Sequence, residues 1–167
     1  MSAGAAPTRR RLVLAAGAAP LALAAVATAA SRSDVDTLER LLVLEHRLVS
    51  AYEAGVRRRA LEEDLGLTLR DQEREHVRGI ELALAARGPR APRALTPDPG
   101  LVRSLRSRDA FARYALGLEA RAVRDYMAAL ASLRDARLLR PLGAIMASEA
   151  QHEVALRASL GEALLGV

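Results

Sequence analysis

Ser148-Glu149-Ala150-Gln151-His152 and Asp71-Gln72-Glu73-Arg74-Glu75-His76 each contain the spacing Glu-x-x-His. On a helix, residues three apart share a face, so the carboxylate and the imidazole reach toward one point. A single pair of this kind is a common accident in a charged helix. Two of them inside apolar stripes need a reason. Around the second copy the inward positions read Leu138, Leu142, Ile145, Glu149, His152 and Leu156. Around the first they read Leu69, Glu73, His76, Ile80 and Leu84. In both, a Glu and a His stand where the helical period calls for Leu or Ile. A buried carboxylate is costly unless it is paired, hydrogen-bonded or bound to a metal.

Two further stripes carry the same intrusion. One runs Leu38, Leu41, Leu42, Glu45, Leu48, Val49, Tyr52, and the other Phe111, Ala115, Leu118, Glu119, Ala122, Val123, Tyr126. In each, a Glu is followed seven residues later by a Tyr. The chain is therefore a repeat: Glu45 with Tyr52 and then Glu73-x-x-His76, followed by Glu119 with Tyr126 and then Glu149-x-x-His152. The offset from lone Glu to motif Glu is 28 residues in the first half and 30 in the second. Heights match as well. With a hairpin turning near position 60, Glu45 and His76 lie level, and with one turning near 135, Glu119 and His152 do.

Four Glu and two His on four helices form the ligand set of a di-metal carboxylate bundle. On these residues the sequence resembles the ferritin-like family, the group of ferritins, bacterioferritins and rubrerythrins, over nearly everything after residue 33. The resemblance implies an all-α fold, a ferritin-like four-helix bundle made of two antiparallel hairpins joined by a long crossover. It implies that Glu73 and Glu149 bridge two metal ions, that Glu45 and Glu119 are terminal carboxylates, and that His76 and His152 supply one nitrogen each. Tyr52 and Tyr126 are then expected beside the ligands, hydrogen-bonding a carboxylate and open to oxidation. Gln72 and Gln151 are further candidate donors. His46 follows Glu45 directly, points roughly 100° away from it, and reads as a surface or packing residue.

Carboxylates with imidazoles suit iron or manganese rather than Cu(I). Two iron ions are the expected cofactors, with manganese admissible and zinc an adventitious occupant. Dioxygen or peroxide is the implied oxidant, and a ferroxidase-like oxidoreductase the implied activity. The competing reading is a metal-free or structural four-helix bundle of the cell envelope without catalysis. A storage cage is disfavoured, because cage-forming ferritins carry a further short helix and this chain ends soon after His152. A monomer or homodimer is expected.

The first 30 residues read separately, as a twin-arginine-type signal segment, with residues 31–167 as the bundle. Thr8-Arg9-Arg10-Arg11-Leu12-Val13 resembles the twin-arginine export signal, an apolar run extends to about Ala27, and Ala27-Thr28-Ala29 offers a small-x-small cleavage site. The run is short and Ala-rich for a span of ~20 residues, so membrane contact is expected only through an uncleaved segment. The expected location is periplasmic, cell-envelope or extracellular.

Composition fits a helical protein, with no Trp, a single Phe and no Lys among the basic residues. Without the first 30 residues the formal charge falls from +5 to +2, since three Arg and no acid lie there. The remaining Arg are scattered and aromatics that could stack bases are few, so no nucleic-acid partner is expected. The lack of Cys excludes disulfides, thiolate metal sites and thiol catalysis. It also removes the rubredoxin-like iron site of true rubrerythrins.

The spacing predicts a first helix from Ser33 or Asp34 to about Arg59, with Ser33 and Asp36 as a capping box. Gly66 and Thr68 are expected to break the chain before a second helix, recapped by Thr68 and Asp71, that ends near Arg87. Residues 88–107 hold Pro89, Pro92, Pro97, Pro99 and Gly100 and read as the crossover, with a short helical turn around Leu101–Leu105. Nineteen extended residues reach roughly 63 Å, enough to run the length of a helix of about 36 Å. A third helix is predicted from Ser107–Asp109 to Leu133. A fourth is predicted with Pro141 in its first turn, running to about Leu165.

Overall fold

The computed structural model describes residues 19–88 and 98–162, with side chains from residue 32 onward. The segment Thr8–Val13 and the crossover prolines Pro89, Pro92 and Pro97 lie outside the described residues. The elements are α1 (Ala19–Arg58), α2 (Glu63–Ala85), α3 (Pro99–Ser104), α4 (Arg108–Ser132), a 3₁₀ turn (Ala136–Leu138) and α5 (Leu139–Ser159). α1 packs on α2 and α4 on α5 as two hairpins; α1 lies against α4, and α2 touches α5. This is the four-helix arrangement the stripes call for, and the described residues form no strand.

α1 starts earlier than the capping signal predicts. Between Pro20 and Ser33 the chain is mostly Ala, Leu and Val with no Gly or further Pro, so nothing stops the helix. Ser33 is therefore inside it rather than its cap. Asp34 acts elsewhere. Buried, it accepts hydrogen bonds from the backbone N–H groups of Arg134 (3.0 Å) and Asp135 (2.8 Å) in the turn before α5. Arg87, one of the last residues before the crossover, donates to Asp135 as well.

The first hairpin turns through Arg59, whose φ of 52° is left-handed without the freedom of a glycine. Its N–H bonds to Val56 O and that of Ala60 to Gly55 O, the two bonds that close a helix C-terminus. Gly66 and Thr68 do not break the chain. Both lie within α2, which is capped at Glu62 by a side-chain bond from Leu65 N–H. Gly66 is buried, and a Cβ on it would stand 3.4 Å from Val56 Cγ2. Packing across the hairpin explains it better than turn formation. Gly55 allows a closer approach still, since a Cβ there would meet the Phe111 ring at 2.5 Å.

α3 forms where a short turn is predicted, with Asp98 Oδ1 accepting from Gly100 N–H at 2.7 Å. α4 begins behind Ser107, whose Oγ accepts from Ala110 N–H at 3.1 Å. α5 stops at Ser159, short of Leu165. Gly161 takes φ 69°, and the N–H groups of Gly161 and Glu162 return to Ala158 O and Arg157 O. That closure ends the helix.

The core follows the stripes read from the sequence, with Leu38, Leu48, Tyr52, Leu69, Ile80, Phe111, Tyr126, Leu142 and Leu156 all buried, while Leu42, Val49, Leu118, Val123 and Ile145 at the stripe edges are partly buried. Each such Leu contributes about 1.5–3 kcal/mol of burial. No helix among the described residues is long and apolar enough to cross a membrane.

Candidate metal centre

Midway along this core the apolar packing gives way to Glu45, Glu73, Glu119 and Glu149, each 0% exposed, with His76 at 8% and His152 at 3%. α1 and α4 contribute one Glu each. α2 and α5 contribute a Glu and a His each, three positions apart on the inward face. All six candidate metal ligands of the sequence are thus brought to one place.

Two overlapping groups result. Glu45, Glu73, His76 and Glu149 each offer a donor atom within 4.8 Å of the others, and so do Glu73, Glu119, Glu149 and His152. Glu73 and Glu149 belong to both. The halves are nearly two-fold related. His76 Nδ1 stands 2.8 Å from Glu149, 3.4 Å from Glu73 and 3.6 Å from Glu45. His152 Nδ1 stands 2.9 Å from Glu73, 3.4 Å from Glu149 and 3.5 Å from Glu119. The two imidazoles lie nearly parallel, 5.8 Å apart.

Despite these short separations, eight donor atoms here lack a hydrogen bond of proper direction. They are both oxygens of Glu73 and Glu149, Oε2 of Glu45 and Glu119, and Nδ1 of both His. Buried polar atoms are rarely left so. Polar atoms that crowd together in this way are compatible with ligation of a shared ion.

The tyrosines hold the remaining oxygens, and they do so across the molecule. Tyr52, on the same helix as Glu45, donates to Glu119 Oε1 on α4. Tyr126, on the same helix as Glu119, donates to Glu45 Oε1 on α1. Both phenols are fully buried, and Tyr52 also meets the edge of Phe111. Each terminal carboxylate thus has one oxygen fixed and one free toward the centre. The equal Glu-to-Tyr offset marked these residues in the sequence, but it did not say which tyrosine serves which carboxylate.

Outside the cluster the halves differ. His152 Nε2 lies 2.8 Å from Gln72 Oε1 and 3.3 Å from Ser148 Oγ. With the proton on Nε2, it donates to Gln72 and leaves Nδ1 to face the carboxylates. The position of Gln72 is taken in the other half by Ser148, which lies against His152 rather than His76, and the described residues show no such bond to His76; Gln151 is exposed. His46 is half exposed, 4.0 Å from Glu81 on the outer side of the first hairpin, and takes no part.

Charge explains the titration behaviour. Burial pushes Glu45 up to about 8 and Glu119 well above the usual carboxylate range, in spite of the adjoining imidazoles. Burial also pushes Glu149 up, but His152 and His76 outweigh it and bring the group down to about 2. Burial disfavours charged histidine, yet the surrounding carboxylates raise His76 to about 12 and His152 to about 11. Burial and the neighbouring carboxylates raise both Tyr52 and Tyr126. The four carboxylates thus attract positive charge strongly enough to retain protons on both imidazoles.

A family model described as a ferritin-like domain matches residues 33–162. The chain belongs to the ferritin-like family. Searches of the curated proteins and of the solved structures returned no match. In this ferritin-like chain the buried Glu and His groups are compatible with a di-metal site: each offers three carboxylates and one imidazole, a donor set suited to iron or manganese.

Proposed function

We propose that this chain is an exported di-metal carboxylate protein that binds two iron ions and oxidises ferrous ion with dioxygen or peroxide. The observation that carries the reading is the set of eight clustered buried donor atoms, on six residues, that make no directional hydrogen bond. Glu73 and Glu149 would be shared between two ions, since each is common to both groups. Glu45 and His76 complete one site, and Glu119 and His152 the other. Tyr126 and Tyr52 keep the terminal carboxylates oriented, so that one oxygen of each stays on the centre. Ferrous iron held there would supply one electron per ion to the oxidant. The closely packed apolar shell restricts water around the centre. The resemblance of Thr8–Val13 to a twin-arginine signal fits the same reading, since that route carries folded proteins and suits metal insertion before transport.

The test is elemental analysis of the chain after exposure to ferrous ion, followed by stopped-flow absorbance on adding oxygen. About two irons per chain and an oxygen-dependent absorbance change are expected. Glu73→Ala should hold none with its helical content intact. Two irons retained in that variant would overturn the assignment.

A further inference from the structure

Between α1 and α4, on the side facing away from the metal cluster, lies a groove of about 490 Å³. Leu41 and Leu44, both buried, line it, together with Arg40, Arg47, Arg121 and Asp125. Leu44 immediately precedes Glu45 and Asp125 immediately precedes Tyr126. The groove therefore backs onto the two helical turns that form the Glu45–Tyr126 bond. Its volume is in the range of small-molecule sites.

The lining charges do not balance. Three guanidinium groups face one carboxylate. That carboxylate is already engaged, with Arg121 Nε 3.3 Å from Asp125 Oδ2. Arg40 donates to the neutral Thr37 Oγ1 at 2.9 Å. Among the described residues Arg47 has no ion pair within 4.0 Å, and its Nε is buried without a hydrogen-bond partner. Asp98 feels the charge of Arg47, but its oxygens bond to Tyr114 and Gly100. A buried N–H of a charged group left unpaired is expensive. Other partly covered arginines of this protein are paired: Arg74 with Glu53, Arg87 with Asp135, Arg157 with Glu153 and Glu162. Arg47 departs from that pattern inside a cavity that offers room for a ligand.

We propose that this groove binds a small oxyanion carrying two or more negative charges, either inorganic phosphate or an organic polycarboxylate, with Arg47 and Arg40 as its principal contacts. Guanidinium groups suit such ligands because their planar donors match two oxygens at once. The aliphatic lining from Leu41 and Leu44 would pack against a carbon skeleton as well as against the stems of the arginines. The site stands apart from the metal reading, since it uses none of the six cluster residues.

The experiment is isothermal titration of the full chain, freed of metal by dialysis, with sodium phosphate and separately with citrate. Chloride at matched ionic strength is the control. Saturable binding of at least one of the two is expected, with at least tenfold weaker affinity in Arg47→Gln and in Arg40→Gln. Circular dichroism checks that each variant is folded. Glu73→Ala should bind the anion like the parent chain, which separates this site from the metal centre. A response to phosphate assigns an inorganic ligand, and a response to citrate alone assigns a polycarboxylate. No saturable binding of either beyond chloride, or undiminished affinity in both arginine variants, would overturn the proposal.

Discussion

The two hairpins carry the same ligands but not the same supports. In the second hairpin, three attachments come from the first. Asp34 of α1 caps the backbone of the turn before α5, Arg87 beyond α2 pairs with Asp135 in that turn, and Gln72 of α2 holds His152. No equivalent residue of the second hairpin holds the turn at Arg59 or the outer nitrogen of His76 among the described residues. The repeated pattern fixes which six side chains meet in the buried cluster. The unrepeated residues decide how firmly each half is held, so the two metal positions are expected to differ in affinity although their donors match.

The sharpest way to break this comparison is to remove one terminal carboxylate at a time. Glu45→Ala should lose the ion beside His76 and Glu119→Ala the ion beside His152, each leaving one of the two, as counted by elemental analysis. Loss of both from either variant would mean that the halves do not act separately. Acidity comes next. His76, His152 and Glu45 hold protons at pH 7, with values raised to about 12, about 11 and about 8. A metal needs them deprotonated, so binding releases protons and affinity rises with pH. Each proton displaced makes affinity about tenfold greater per pH unit. Manganese titrations in two buffers of different protonation enthalpy at pH 6 and 8 would show it, and affinity that falls with pH would contradict the raised values.

Gln72→Leu tests the asymmetry directly. It should weaken one of two binding steps about 10–100-fold and spare the other, whereas Gln151→Leu should change neither. Equal weakening of both steps by Gln72→Leu would make the halves equivalent. Asp34→Ala removes the acceptor for two backbone N–H groups and should cost about 1–3 kcal/mol, read by urea unfolding. The smallest effect is expected in the first hairpin. Arg59→Gly relieves a left-handed backbone that costs about 1–2 kcal/mol for a residue with a Cβ, against greater flexibility when unfolded. A modest rise in melting temperature is expected.

The six-residue cluster was legible because each polar intrusion falls on an apolar stripe of fixed period, and the bundle followed from the matched heights. The partnering of Tyr52 with Glu119 was not. Both halves show the same Glu-to-Tyr offset, so local spacing is silent about a bond made across α1 and α4. Helix starts failed where residue type was read without packing. Gly66 and Thr68 resemble breakers, yet Gly66 is small because Val56 lies against it. Asp34 resembles a capping residue and is one, but for a turn 100 residues away. Gln72 was marked as a donor and could not be placed, because its partner lies on α5.

The crossed tyrosines carry a consequence for how such a chain can be divided. The Glu45–Tyr126 and Tyr52–Glu119 bonds run in opposite directions between α1 and α4, so each hairpin supplies the clasp for the other's carboxylate. A single hairpin is therefore half a lock: it holds a key part for its neighbour and lacks one of its own. Two separate hairpin peptides would have to meet to restore the full set of contacts. An ancestor with only one hairpin would have gained a complete centre only by pairing with itself.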